Sequence, residues 1–241
     1  MSKSYLLPLI LFSVNLYAGL KLPTGLDQEK RKTFVKSVLS SSSYKYLSLG
    51  YTLGGYEGFE LSASLESFPL SKGNILSSSE LKEKDYVVQN VTIGKGMFEN
   101  VDMFFTFSPF IFQKDISIFG MAMKYVFYID SENPFNLSVL LHGNAVNFAN
   151  LVGAQSTGLD IIGSYFLKYW TFYLAVGQQR TLASFVGGAQ GLTQDLSSAN
   201  EDLYLNRFYS GFSYDFGMYQ ASFELQKIES ESLAFKLGKR F

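Results

Sequence analysis

The sequence predicts an all-β protein: a transmembrane, antiparallel, up-and-down β-barrel of about ten strands, with about twelve as the alternative, and a short N-terminal helix. Three observations carry this. Successive stretches alternate apolar and polar residues with the period of two that sends neighbouring side chains to opposite faces of a strand. The stretches run to roughly 9–13 residues, the length a tilted strand needs to cross a bilayer. The connections between them are longer at one end than at the other, as in barrels with short periplasmic turns and longer extracellular loops.

The chain opens with the parts of an export signal: Lys3, then the apolar run Tyr5–Phe12, then Asn15–Ala18 with a small residue ahead of Gly19. Residues 1–18 are therefore read as a signal peptide, 19–56 as an N-terminal periplasmic or plug segment, and 57–241 as the barrel. Within 19–56, Asp27 is placed to cap a short helix that gathers Phe34, Val35, Val38 and Leu39 on one side. The expected role is a lead-in to the barrel; a small plug in its mouth is the alternative. Tyr44–Leu53 alternates weakly and stops at Gly54-Gly55, so it reads as an extra strand or an extended approach.

The clearer strands follow in order: 58–68, 86–95, 101–108, 116–128, 135–146, 156–166, 169–179, 203–214, 217–228 and 231–241. In the first, Phe59, Leu61, Ala63 and Leu65 oppose Glu60, Ser62, Ser64 and Glu66. In the seventh, Trp170, Phe172, Leu174 and Val176 form the apolar face. The longest connections, 69–85 and 180–202, fall at the same end. An even number of strands returns both ends of the barrel to the periplasmic side.

Composition bounds the chemistry. Charged residues make up 17% of the chain and aromatics another 17%, with 23 Phe and 16 Tyr. A soluble domain carries about 25% charge, so this surface is under-charged. A net charge of −1 gives no electrostatic case for nucleic acid. With no Cys and a single His, thiolate sites, cysteine nucleophiles and multi-histidine metal sites are excluded. No cofactor is expected. The polar face is rich in Ser, Gly and Asn, and the apolar face lacks the Lys and Glu of a wetted surface. The apolar face is therefore read as lipid-facing and the polar face as lumen, with Tyr165, Trp170, Phe212 and Tyr219 as interface-belt residues.

Six charged residues fall on the lumen face: Glu60, Asp102, Lys124, Arg207, Glu224 and Lys236. Tight turns at Asp215-Phe216 and Ser230 would place Arg207, Glu224 and Lys236 at one level, with Glu60 across the closing seam. Paired charges in a narrow lumen argue for a filled barrel or a gated path. His142 lies on the same face, and a loop centred on Leu151 would set it opposite Asp160. A His oriented by Asp is what a general base requires. The glycine-rich run Gly187–Gly191 lacks the ending of a phosphate loop.

The final strand places Leu233, Phe235, Leu237, Lys239 and Phe241 on one face and ends on Phe. In this it resembles the closing strand of Gram-negative outer-membrane β-barrels, which the barrel-assembly machinery reads. The resemblance implies residence in the bacterial outer membrane, with that machinery and outer-membrane lipid as partners. Leu22–Leu26 and Leu53–Phe59 are similar to stretches of a group of uncharacterised outer-membrane proteins, which implies no activity. Outer-membrane phospholipases and lipid A deacylases resemble this architecture but place Ser two residues after the His. Here the run is His142-Gly143-Asn144-Ala145. Omptin-type proteases add an Asp pair that is not seen here. The expected function is that of a monomeric, non-enzymatic surface scaffold that binds extracellular ligands through 69–85 and 180–202. A narrow, porin-like gated channel and a hydrolase built on His142 and Asp160 are the alternatives.

Overall fold

The computed structural model describes residues 22, 24–40, 42–69, 85–109, 116–130, 132–188 and 192–241. The export signal read at 1–18, most of the 69–85 connection and the centre of the glycine-rich run lie outside the described residues.

Ten strands close into one antiparallel barrel, each bonded to its neighbours in sequence and β1 closing on β10. They are β1 (Phe59–Pro69), β2 (Asp85–Phe98), β3 (Val101–Phe107), β4 (Ile116–Ile129) and β5 (Phe135–Phe148). The second half is β6 (Val152–Leu167), β7 (Trp170–Phe185), β8 (Ala199–Asp215), β9 (Tyr219–Lys227) and β10 (Glu231–Arg240). The seam joins Glu60 to Arg240 and Ser67 to Leu233. Closure leaves no strand edge, which is what a sheet needs in hydrocarbon.

Burial inverts the soluble pattern. Along β7, Trp170, Phe172, Leu174 and Val176 are exposed, while Thr171, Gln179 and Thr181 are buried. On β4, Phe119, Met121, Met123, Tyr125 and Phe127 are exposed outside and Lys124 is fully buried inside. An apolar exterior on this scale needs lipid to cover it. Around the short-turn end the belt is aromatic: Trp170 meets Tyr214 at 4.6 Å, and Tyr214 meets Phe216 at 4.5 Å. Among the described residues no helix is long and apolar enough to cross a membrane.

Several connections are shorter than the sequence reading had them. β6, β7 and β8 each extend further toward the long-connection end, so the 180–202 loop shrinks to 186–198 and the nine-residue 147–155 gap to residues 149–151. The physical reason is that Thr181, Ala183 and Phe185 continue the inward alternation of β7 and pair through Leu203, Glu201 and Ala199 of β8.

The segment ahead of the barrel departs most from expectation. Asp27 is the cap of helix α1 (Gln28–Phe34), accepting from the Lys30 N–H at 2.9 Å, and a π-helical turn continues it over Val35–Leu39. This helix sits in the mouth at the long-connection end. Phe34 packs edge-on against Phe148 and Phe185, at 6.4 and 6.1 Å, within a buried cluster that includes Val35, Val38, Leu39, Ile116 and Val152. Tyr44–Leu53 is not a barrel strand. It is an extended strap that runs down the lumen, where residues 42–50 are buried throughout. Of the roles expected for 19–56, the plug is the one that residues 24–40 and 42–53 take. The barrel itself begins and ends on the short-turn side, Phe59 beside Phe241, as an even strand number requires; residues 24–40 lie at the opposite end.

Candidate functional site: the strapped lumen

The lumen is built from inward positions of all ten strands, and its ion pairs fall into three groups, with Glu66, Glu224 and the strap's Lys45 held by hydrogen bonds apart from them. Near the short-turn end, Lys124 Nζ pairs with Asp102 Oδ2 at 2.9 Å across the β3–β4 register, both side chains fully buried. Across the seam, Lys236 Nζ lies 2.7 Å and Arg240 Nε 3.4 Å from the two oxygens of Glu60. Midway up, Asp160 Oδ2 lies 3.6 Å from Arg207 Nη1 and 3.4 Å from His142 Nε2, and it accepts from the Tyr209 hydroxyl at 3.0 Å.

The level triad expected of Arg207, Glu224 and Lys236 does not form. The β8–β9 turn spans residues 216–218, so Gly211, not Arg207, faces Glu224. The β9–β10 register sets Glu224 against Ala234 and Ser222 against Lys236. Each charge has its partners elsewhere: Glu224 Oε2 accepts from the Tyr173 hydroxyl and the Leu47 N–H, both at 3.1 Å, while Glu224 Oε1 and Arg207 Nε have no hydrogen-bond partner among the described residues. His142 faces Gly158, and Asp160 faces Leu140, two positions away from the expected register. The diagonal still brings their side chains together. Glycine makes the room: a Cβ on Gly158 would come within 2.6 Å of the imidazole, and one on Gly177 within 2.0 Å of Asp160 Oδ1. The strand-end residues Leu233, Phe235, Leu237 and Phe241 lie on the exposed outer side of the seam.

Most of these polar side chains face the strap, and sequence reasoning missed that partner. Arg207 Nη2 donates to Tyr44 O at 2.6 Å and Asn144 to Ser42 O at 2.9 Å. Asn136 donates to Gly50 O at 2.9 Å, Lys124 to Tyr51 O at 2.8 Å and Ser213 to Ser48 O at 3.2 Å. Asp102 Oδ1 accepts from the Leu53 N–H at 3.0 Å. Lys45 reaches Gln226 and Ser232, and Tyr51 reaches Asp215. Tyr46 stands edge-on to Tyr173 at 5.0 Å, and Tyr44 stacks on His142 at 6.1 Å. Leu47 takes a left-handed conformation, φ 34°, held where its N–H meets Glu224. Buried main-chain groups must be paired, and here the barrel wall supplies the partners a neighbouring strand would otherwise give.

Arg207 Nη1 lies 3.0 Å from His142 Nε2. Nε2 thus faces the guanidinium, and Nδ1 has no hydrogen-bond partner among the described residues. The pair is enclosed on all sides, and among the described residues no cluster of His, Cys, Asp and Glu could hold a metal.

A closed ten-strand barrel, apolar outside and polar and charge-paired inside, defines this chain as an outer-membrane β-barrel protein. No protein family's sequence profile matches the chain, and no curated protein matches it. Among solved structures it is similar to the N-terminal β-barrel domain of Pseudomonas aeruginosa OprF, at 14% identity and a TM-score of 0.33, covering 78% of this chain and 99% of that one. The attachment invasion locus protein Ail of Yersinia pestis matches at 12% identity and 0.30, covering 76% and 98%. A loop-deletion mutant of OmpT, an outer membrane protein of Vibrio cholerae, matches at 9% and 0.32, covering 84% and 71%.

Proposed function

We propose that this protein is a non-enzymatic surface protein of the outer membrane: a closed, rigid barrel that holds a face of loops and helix toward the outside. The observation that supports this is the strap. It runs down the lumen from mouth to base, and a cavity beside it, between Tyr44–Leu47 and the wall near Ser64, Asn90 and Asn144, is about 20 Å³. A single water needs roughly 10–15 Å³ on that measure, so that space holds one or two waters. The lumen charges are then structural, each spent on a partner in the wall or on the strap.

The outward end is the one with the long connections, since membrane barrels keep short turns in the periplasm. On it lie α1, the 149–151 turn, the 186–198 loop and the ends of the 69–85 connection. A face of this kind on a rigid scaffold is where binding concentrates, and it is the surface for an extracellular ligand.

Two other readings make different demands. A channel needs the strap to leave. A hydrolase needs His142 free of Arg207 and open to substrate. The test is ion conductance in planar bilayers, after a heat-induced gel shift has shown a folded barrel. The surface-protein reading expects no steady conductance from inserted protein; steady single-channel steps from the unmodified chain would replace it with the channel.

A further inference from the structure

The strap is anchored at both ends, and the anchors lie on opposite faces of the barrel. At the long-connection end, the Leu26 N–H donates to Leu192 O at 2.7 Å, and Gln194 N–H returns a bond to Leu26 O at 3.1 Å. Arg31 pairs with Glu201 at 2.9 Å, and Ser230 Oγ, in the β9–β10 turn, donates to Ser37 O at 2.6 Å. At the short-turn end, Leu53 is held by Asp102, and the Gly96 N–H donates to Gly58 O at 3.0 Å. β1 begins beside it at Phe59.

Between these anchors, residues 40–54 have the reach to span the wall. An extended chain covers about 3.3 Å per residue, or roughly 45 Å over this segment, against an apolar band about 25 Å tall. A lead-in confined to the side where β1 starts would make none of the contacts at the far mouth. The grip is also of a particular kind. Arg207, Asn144, Ser213, Asn136 and Lys124 all bond strap carbonyls, not strap side chains. Such a wall holds an extended main chain.

We propose that the barrel carries its own N-terminal segment across the outer membrane and presents Thr24–Leu39, with helix α1, as a surface element on the long-connection face. The crossing stands on the contacts above; the side it reaches rests on the orientation given under the proposed function.

The chain has no cysteine, so single cysteines report location cleanly. Four exposed positions serve: Lys32 on α1, Glu57 between strap and β1, Glu229 in the β9–β10 turn and Glu132 in the β4–β5 turn. Each is changed to Cys in the full chain, checked for the folded gel shift, and treated on intact cells with a membrane-impermeant maleimide. Gln28→Cys is the second variant on α1. The expected result is labelling of Lys32→Cys and Glu229→Cys on intact cells, and of Glu57→Cys and Glu132→Cys only after permeabilisation. If the α1 cysteines follow Glu132→Cys while Glu229→Cys stays outside, the segment does not cross and the inference is overturned with the orientation intact. If Glu132→Cys is outside and Glu229→Cys inside, the orientation fails, and surface presentation of α1 fails with it.

Discussion

Arg207 Nη2 donates to the main-chain carbonyl of Tyr44 at 2.6 Å while Nη1 of the same side chain reaches His142 and Asp160. One fully buried guanidinium thus joins three barrel strands to the strap, and its planar fork can do so because its donors point in several fixed directions. Tyr209 covers its face at 4.5 Å.

Replacing Arg207 with Ala leaves Asp160 without its cation and Tyr44 O without a donor. Removing one partner of a buried pair costs about 3–5 kcal/mol. The gel-shift temperature of Arg207→Ala should fall markedly. Arg207→Lys should fall by less, since it keeps the charge near Asp160 but loses the fork. Equal stability of all three proteins would contradict the role given to this residue.

Asp102 and Lys124 invite a double-mutant cycle. Asp102→Asn and Lys124→Met should each destabilise the barrel, and the double variant should be less destabilised than the sum of the two, because neither charge is left stranded. Lys124→Met carries an additional loss from its bond to Tyr51 O. Additive effects in denaturant titrations would show that the 2.9 Å pair is energetically idle.

Phe34 closes the mouth. Phe34→Ala should cost about 3–5 kcal/mol if α1 is docked as seen against Phe148 and Phe185. Hydrogen exchange at the strap amides should speed up while the barrel strands stay protected. Unchanged exchange across 42–53 would indicate that strap and mouth plug are independent.

At the end of α1, the Lys30 backbone N–H holds the Asp27 carboxyl below its ordinary range. A depressed carboxyl pKa stabilises the folded form above the unfolded value, and the contribution is lost as pH falls through the folded value. Docking of α1 should therefore loosen in acid below the usual carboxylate range, and Asp27→Asn should remove that pH dependence. Proteolysis of the 24–40 segment as a function of pH reads this directly. A pH-independent cleavage rate in the unmodified protein would contradict it.

The barrel was legible in the sequence because its signal is local: alternation along each strand needs only the strand itself. Trp170–Val176 and Leu233–Phe241 declare their outer faces without reference to any neighbour. Register was less legible because it depends on turn geometry. Moving the β8–β9 turn to 216–218 shifts Arg207 away from Glu224, and a two-residue offset between β5 and β6 turns an expected facing pair, His142 and Asp160, into a diagonal one. The strap was the least legible element. Tyr44–Leu53 alternates weakly because it has no lipid face, and its partners are polar side chains far away in sequence, on β3 to β5 and β7 to β10. The one local hint was its composition: Ser, Tyr and Lys suit a polar, aromatic-lined interior better than a bilayer.

Residues 42–53 fill the lumen. The reactivity of Ser48→Cys in the folded protein inserted in liposomes, compared with Glu57→Cys, tests this. Ser48 is fully buried between strap and wall, and Glu57 is exposed. A small maleimide should modify Glu57→Cys readily and leave Ser48→Cys unmodified until the barrel is unfolded. Equal labelling of the two in the folded state would mean that the strap lies outside the barrel, and the closed-lumen account would fall.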